Sequence, residues 1–296
     1  MTELWGGWLT PILLAAAISY GLTNVLLSNL REFALDVPNH RSMHDMPVPR
    51  TGGWALVAGC VVALAVSPVS VPSPLFAGFA LLLGISVIDD LRHVSARVRF
   101  SVHLLAVALV LAALPHAIAW WWYPLLLLGG VWMINLYNFM DGMDGLAGSM
   151  AAIGFASLGL LCVLRGQSDL AGICALFVVC ALIFLRYNWP SARIFLGDAG
   201  STSLGLAAVA VSLYGWQRGA FGLLVPLVVF APFWLDATWT LLRRALAGKR
   251  WWEAHREHFY QRSALRIGVQ KTLYWQLGFM SSASILAHAL AALGWA

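Results

Sequence analysis

The chain has 296 residues, of which 60% are apolar and only 10% charged, and its mean hydropathy is +0.79. A soluble domain carries about a quarter charged residues, so a water-soluble enzyme, a disordered chain and a secreted disulfide scaffold are excluded and a polytopic membrane protein remains. The net charge of +5 then reports membrane topology rather than a nucleic-acid partner.

Ten apolar segments follow one another, at about 4–30, 53–71, 74–88, 98–114, 117–138, 145–164, 168–185, 199–216, 219–242 and 273–295. The first lacks a basic leading region and is longer than the apolar part of a signal peptide, so it reads as a transmembrane helix. Each segment is expected to be helical, because hydrocarbon leaves no other way to satisfy the backbone. The expectation is an all-α, polytopic membrane protein of about ten transmembrane helices, forming a single domain over residues 1–296. Cys60, Cys162, Cys174 and Cys180 all fall inside apolar runs and read as buried hydrophobes.

The loops alternate in character. Those after segments 2, 4, 6 and 8 are short and nearly chargeless, while those after segments 1, 3, 5, 7 and 9 are longer and polar. Of the 18 Lys and Arg residues, all but Arg165 and Arg218 lie in the second set. The positive-inside rule puts those loops in the cytoplasm and both termini in the periplasm. Of the 13 acidic residues, all but Glu3, Asp169 and Asp236 lie on that same face. The topology rule does not require this, since Asp and Glu contribute little to it. A polar active site on the cytoplasmic face does.

In chain order, the first polar loop reads DVPNHRSMHDMPVPRTGG. Arg41, Arg50, Gly52 and Gly53 are candidates for a phosphate cradle; His40 and His44 fit an ordinary surface loop equally well. Asp89 and Asp90 close the third segment, where two carboxylates repel each other and oppose the helix dipole. Arg92, Arg97, Arg99 or a divalent cation would compensate. In NLYNFMDGMDGLAG, Asn135, Asn138, Asp141 and Asp144 recur every three residues, which places amides and carboxylates on neighbouring turns. Such a stripe suits sugar hydroxyls, a base edge or a metal.

Further on, RIFLGDAGSTSLG sets Asp198 between glycines just before an apolar helix. Free N–H groups at a helix start favour phosphate, and a carboxylate beside phosphate is a usual place for Mg²⁺; an N-cap is the plainer alternative. Asp236 lies within the ninth segment, either as a functional ionisable group or as a partner of Arg243 or Arg244. The last polar loop contains HREHFYQR. Its His255 and His258 lack further zinc ligands, and together with Arg256 they suit a diphosphate better. The 15 tryptophans read mostly as interfacial belt.

The order DD, NFMDGMDG, FLGDAGS and a basic His-containing loop resembles the polyprenyl-phosphate N-acetylhexosamine-1-phosphate transferases over nearly the whole chain. Within that family the first loop and HREHFYQR look closest to the enzymes that initiate O-antigen with an N-acetylated, often 6-deoxy, hexosamine. The histidine triplet of the MurNAc-pentapeptide translocase is absent, and so is the HxHH arrangement of the GlcNAc-phosphate transferases. The resemblance implies a Mg²⁺-dependent enzyme (Mn²⁺ substituting) of the bacterial inner membrane. It would act on a UDP-N-acetylhexosamine and undecaprenyl phosphate, embedded in membrane lipid and compatible with a homodimer.

Residue by residue, the resemblance assigns Asp198, with Asp89, to the metal. Asp89 and Asp90 would face the lipid phosphate. Asn138, Asp141 and Asp144 would line the nucleotide-sugar pocket, Phe195 would stack on uracil, and Arg50, His255, Arg256 and His258 would steady the phosphates. The reaction exchanges one phosphoanhydride for another, so catalysis rests on positioning and charge stabilisation. A secondary transporter is the rival from another class, but transporters keep ionisable groups near the midplane of repeated halves. Here the carboxylates sit at segment ends, and no repeat is evident.

Overall fold

The computed structural model describes residues 7–38, 42–92, 94–250 and 255–294. His40 and Arg41 of the first polar loop, and Trp251, Trp252 and Glu253 of the last, lie outside the described residues. The helices are α1 Leu9–Asn29, α2 Gly52–Ala65, α3 Ser73–Leu91, α4 Ala96–Ala112, α5 Trp122–Phe139 and α6 Leu146–Leu164. They continue with α7 Ser168–Asn188, α8 Gly197–Gln217, α9 Leu224–Val229, α10 Ala231–Leu246, α11 Phe259–Ile267 and α12 Val269–Ala292.

Every apolar segment is occupied by helix, and the chain is an all-α membrane protein. Four helices, α1, α3, α6 and α7, are long and apolar enough to cross a membrane. The ninth segment differs from expectation. It breaks at Phe230 into α9 and α10, because Pro232 has no N–H to continue the ladder. Two small elements inside polar loops were not foreseen. The first loop forms an antiparallel pair, β1 Leu35–Asp36 with β2 Val48–Pro49, in which Leu35 faces Pro49. The last contains the amphipathic helix α11.

The helices sort into a centre and a periphery. Nearly the whole circumference of α6 and α8 is buried. Peripheral helices instead turn large apolar side chains outward: Leu13 of α1, Phe76 of α3, Leu125 and Leu128 of α5, and Trp275 and Ile285 of α12. In water such a surface would be costly; in hydrocarbon it is the ordinary outer face. All four cysteines are free and buried, as expected.

Close packing at the centre depends on small residues, as is usual where lipid removes the hydrophobic drive between helices. A Cβ on Gly53 of α2 would stand 2.3 Å from the Gly200 Cα of α8. The amides of Gly52 and Gly53 donate to the Phe195 and Leu196 carbonyls at 2.9 and 2.8 Å. This corrects the phosphate-cradle reading of these two glycines. Their N–H groups are spent on the backbone, and their missing side chains let α2 meet α8.

The two kinds of loop gather at opposite ends of the bundle. At one end the Tyr214 hydroxyl donates to the Ala113 carbonyl, the His116 amide to the Gln217 side chain, and the Gln167 side chain to the Arg218 carbonyl. All the longer polar loops meet at the other end, described below. Gly53→Ala should lower stability by about 2–3 kcal/mol, because the added methyl meets backbone that cannot yield. Heat denaturation in detergent would show this as a clearly reduced midpoint.

Candidate active site

The adjacent carboxylates at the end of α3 do different things. Asp90 is 2% exposed. Its Oδ1 accepts from the Asp198 amide at 2.8 Å, and its Oδ2 from the Ala199 amide at 3.2 Å and from Trp54 Nε1 at 3.1 Å. It therefore fills the positive N-terminal end of α8, where amides lack intrahelical partners. Two expectations change. The start of α8 is not an open phosphate site, and Asp90 faces the helix rather than a free lipid phosphate.

Asp89 points the other way. Its Oδ1 accepts from the Val94 amide at 2.7 Å and its Oδ2 from Arg99 Nη1 at 2.6 Å. The same Arg99 nitrogen lies 3.2 Å from Asp198 Oδ2. Of the three arginines that follow the Asp pair, Arg99 supplies the compensating charge. On its other oxygen Asp198 accepts from Asn138 Nδ2 at 2.7 Å, and Asn138 also reaches Ser201 Oγ at 3.1 Å. Asp89, Asn138 and Asp198, remote in sequence, thus form one polar cluster around Arg99.

Asp141 sits in the turn between α5 and α6. Burial, followed by the fields of Asp198, Asp90, Asp36 and Asp144, holds its carboxyl well above the ordinary range. It accepts no hydrogen bond from a described residue. Asp144 is tied to the chain instead, accepting from the Ala192 amide at 2.9 Å; burial raises it, and this bond and the field of His44 hold it back. Gly145 adopts a φ of 75°, which a glycine accepts freely, and its amide donates to Asn188 Oδ1 at 2.9 Å. Asn135, though in phase with the others, donates to the Val131 carbonyl at 2.7 Å and takes no part in the cluster.

The first loop closes one side. The Phe195 amide donates to the Pro49 carbonyl at 2.8 Å. The Phe195 ring meets His44 edge-on, with centroids 4.8 Å apart, and His44 is held by Asp36 at 3.1 Å and the Met46 carbonyl at 2.8 Å. Arg50 acts on Asp90 through its field, and its Nε has no partner.

The last loop closes another side, for a reason the sequence concealed. Asp236 accepts from the Phe259 amide at 2.7 Å and the Tyr260 amide at 2.9 Å. It caps α11 from a distant helix; of the two readings, the pairing with Arg243 or Arg244 does not appear among the described ion pairs, in which both arginines meet Glu257. The Tyr260 hydroxyl then donates to the Phe139 carbonyl at 3.0 Å, docking the loop against the Asn138–Asp144 turn. His258 is buried, 3.6 Å from Asp236, and its ring lies parallel to that of Tyr260. Burial, then His258 and Arg244, push His255 down to about 4, so it is neutral near pH 7. Its Nδ1 accepts from the Glu257 amide at 3.3 Å, which leaves Nε2 as the donor. Arg256 is exposed.

Sequence reasoning missed Trp54 and His103. Trp54 carries no local signal, because its role appears only across the α2–α3 contact. His103 lies on α4 one turn beyond Arg99, 4% exposed, with both ring nitrogens unpartnered. An ionisable residue within an apolar run was the available clue.

The donor set suits a hard divalent cation. The Arg99 guanidinium already stands as a cation between Asp89 and Asp198. Among the described residues, no group of three His, Cys, Asp or Glu could enclose a metal alone.

Residues 73–216 match the model of glycosyl transferase family 4. That stretch holds Asp89, Asp90, Asn138, Asp141, Asp144, Phe195 and Asp198, but neither the first nor the last polar loop. The chain is similar to a probable undecaprenyl-phosphate N-acetylglucosaminyl 1-phosphate transferase of Bacillus subtilis, at 28% identity over 80% of this chain and 68% of that protein. It is 32% identical to a decaprenyl-phosphate N-acetylglucosaminephosphotransferase of Mycobacterium leprae, over 86% of this chain and 76% of that one. With an undecaprenyl-phosphate alpha-N-acetylglucosaminyl 1-phosphate transferase of Escherichia coli K12 it shares 27% identity, over 76% and 68%.

The two kinds of carboxylate predict opposite stability changes. Asp90→Ala strands two helix-end amides in a buried site and should cost about 2–3 kcal/mol. Asp141→Asn removes a crowded carboxyl that resists ionisation. A raised carboxyl contributes stability below its unfolded value and loses it as pH rises through the folded one. At neutral pH Asp141→Asn should therefore stabilise the ligand-free protein by about 1 kcal/mol, with the gain vanishing towards pH 4. Thermal melts across that range would decide.

Proposed function

Because the chain belongs to glycosyl transferase family 4, we propose that it transfers the HexNAc-1-phosphate of a UDP-sugar to undecaprenyl phosphate, releasing UMP. The observation that carries this reading is the cluster of Asp89, Asp198, Asn138 and Arg99, with Asp141 in the same field, assembled from remote segments at one polar end of an apolar bundle. The positive-inside rule puts that end in the cytoplasm and both termini in the periplasm. Partition favours the same placement, since the donor is water-soluble and the acceptor's chain stays in the bilayer.

In the proposed reaction an oxygen of the lipid phosphate attacks the β-phosphorus of the UDP-sugar. One phosphorus–oxygen bond forms, and the bond to the UMP oxygen breaks. Mg²⁺ held by Asp198 with Asp89 would offset the charge of the diphosphate. Arg99 orients both carboxylates, and Asn138 fixes the rotamer of Asp198. Asp141, raised and accepting no hydrogen bond from a described residue, is placed to hold or take a proton of the incoming phosphate. Asp144 and Phe195 line the nucleotide-sugar side, with Phe195 offering a face to uracil. Arg50, Arg256, His255 and His258 flank the phosphates, with His255 contributing a neutral N–H and His258 supporting the loop through Asp236. Asp90 keeps its place in the site as the residue that positions Asp198.

Two donor readings remain. The first-loop and HREHFYQR patterns favour an N-acetylated, possibly 6-deoxy, hexosamine for O-antigen or another cell-surface polysaccharide. The names of the relatives favour GlcNAc. The purified protein, given undecaprenyl phosphate, Mg²⁺ and a panel of UDP-N-acetylhexosamines, should release UMP with one of them. Asp198→Ala should fold and lose at least about 100-fold in rate, and EDTA should abolish turnover. Asp141→Asn should be inactive, and the wild-type acid limb should lie above the ordinary carboxylate range, since Asp141 must ionise. Absence of UMP with every donor would overturn the proposal.

A further inference from the structure

We propose that a second phosphate site, for the headgroup of an anionic membrane lipid, lies in the basic cleft between the end of α10 and the start of α11. The cleft has a volume of about 430 Å³ and is lined by Arg243, Arg244, Ala247, Lys249, Glu257 and Arg262. Three of its four cations share one carboxylate. Arg244 Nη1 pairs with Glu257, Lys249 Nζ lies 3.0 Å from Glu257 Oε1, and Arg243 Nη2 lies 3.7 Å from Oε2. Among the described residues that line the cleft, this single carboxylate faces four cations, an excess of about three positive charges.

The donors are also incompletely used. Arg244 is 7% exposed and gives Nη2 to the Arg250 carbonyl at 3.0 Å, yet its Nε has no partner. Arg262 forms no side-chain bond with a described residue. A buried N–H without an acceptor is unfavourable in an unliganded protein, so this geometry suits an acceptor-only group with several oxygens. Phosphate fits, because guanidinium forks bind it bidentately.

The rim identifies the source of the phosphate. Trp239, Leu242 and Leu246 make one exposed stripe along α10, and Leu265 and Ile267 stand exposed on α11. Acyl chains would lie along this apolar edge, with the headgroup turned into the cleft. No described hydrogen bond or ion pair joins these cations to Asp89, Asp141, Asp144 or Asp198, but the fields of Arg244 and Lys249 reach His255, so the cleft adjoins the active-site loop without sharing its carboxylates. Its occupancy would brace Glu257 and the loop that carries His255 and His258.

Native mass spectrometry of the whole protein, titrated with short-chain phosphatidylglycerol, phosphatidylcholine or inorganic phosphate, tests this without needing turnover. Lys249→Gln with Arg262→Gln removes two solvent-reachable cations and should leave the fold intact, as judged by an unchanged melting midpoint. Phosphatidylglycerol should bind the wild type in preference to phosphatidylcholine, and about twentyfold more weakly to the double variant. Equal phosphatidylglycerol affinity in the two proteins, or equal affinity for the two lipids, would overturn the site. Inorganic phosphate binding as tightly as phosphatidylglycerol would overturn the lipid as its occupant.

Discussion

The polar end of this molecule depends on one contact, the Asp90 carboxylate against the first amides of α8. That contact joins α3 to α8, and through Trp54 it draws in α2. It places Asp198 at the start of a buried helix, with its own amide and that of Ala199 fixed by Asp90. A helix N-terminus in a low-dielectric bundle needs negative charge, and the end of α3 supplies it. The glycines at the α2–α8 crossing serve the same end, since only their missing side chains let the backbone of Phe195, Leu196 and Gly200 approach.

Adjacent carboxylates at one helix end are then no anomaly. Each has its own counter-charge: Asp90 the α8 amides, Asp89 the Arg99 guanidinium. Asp198 shares Arg99 and takes Asn138 as a neutral donor. Among the described residues, Asp141 faces like charges instead: Asp198, Asp90, Asp36 and Asp144. A buried carboxylate so placed opposes folding. Natural chains tolerate such a cost where chemistry requires it, which is why the least comfortable carboxylate is the one assigned to proton handling.

Much of the fold was legible because hydrocarbon admits so few backbone solutions. A long apolar run in this chain had to be helix, and all the runs are. What stayed hidden was set by single distant atoms. Pro232 broke the ninth segment within a run that hydropathy treats as continuous. The α11 helix lies in a loop too charged to read as buried, and it forms because Asp236 caps it and Tyr260 anchors it. The Asp pair, NFMDGMDG and GDAGS were visible as chemistry, but their division of labour was not. Spacing puts Asn135 and Asn138 in the same phase, yet only Asn138 reaches Asp198, while Asn135 turns back to its own helix.

The same reasoning explains how two outlying loops come to serve one site. Neither falls within the stretch that matches the family model, and each is docked onto a main-chain group of that stretch rather than onto the carboxylate cluster. Pro49 receives the Phe195 amide, and Phe139 receives the Tyr260 hydroxyl. Main-chain anchors constrain position without constraining the remaining side chains. In the proposed reaction such loops would present different residues to the sugar while the carboxylate cluster beneath them stays fixed, so that donor choice would vary on a constant phosphate chemistry.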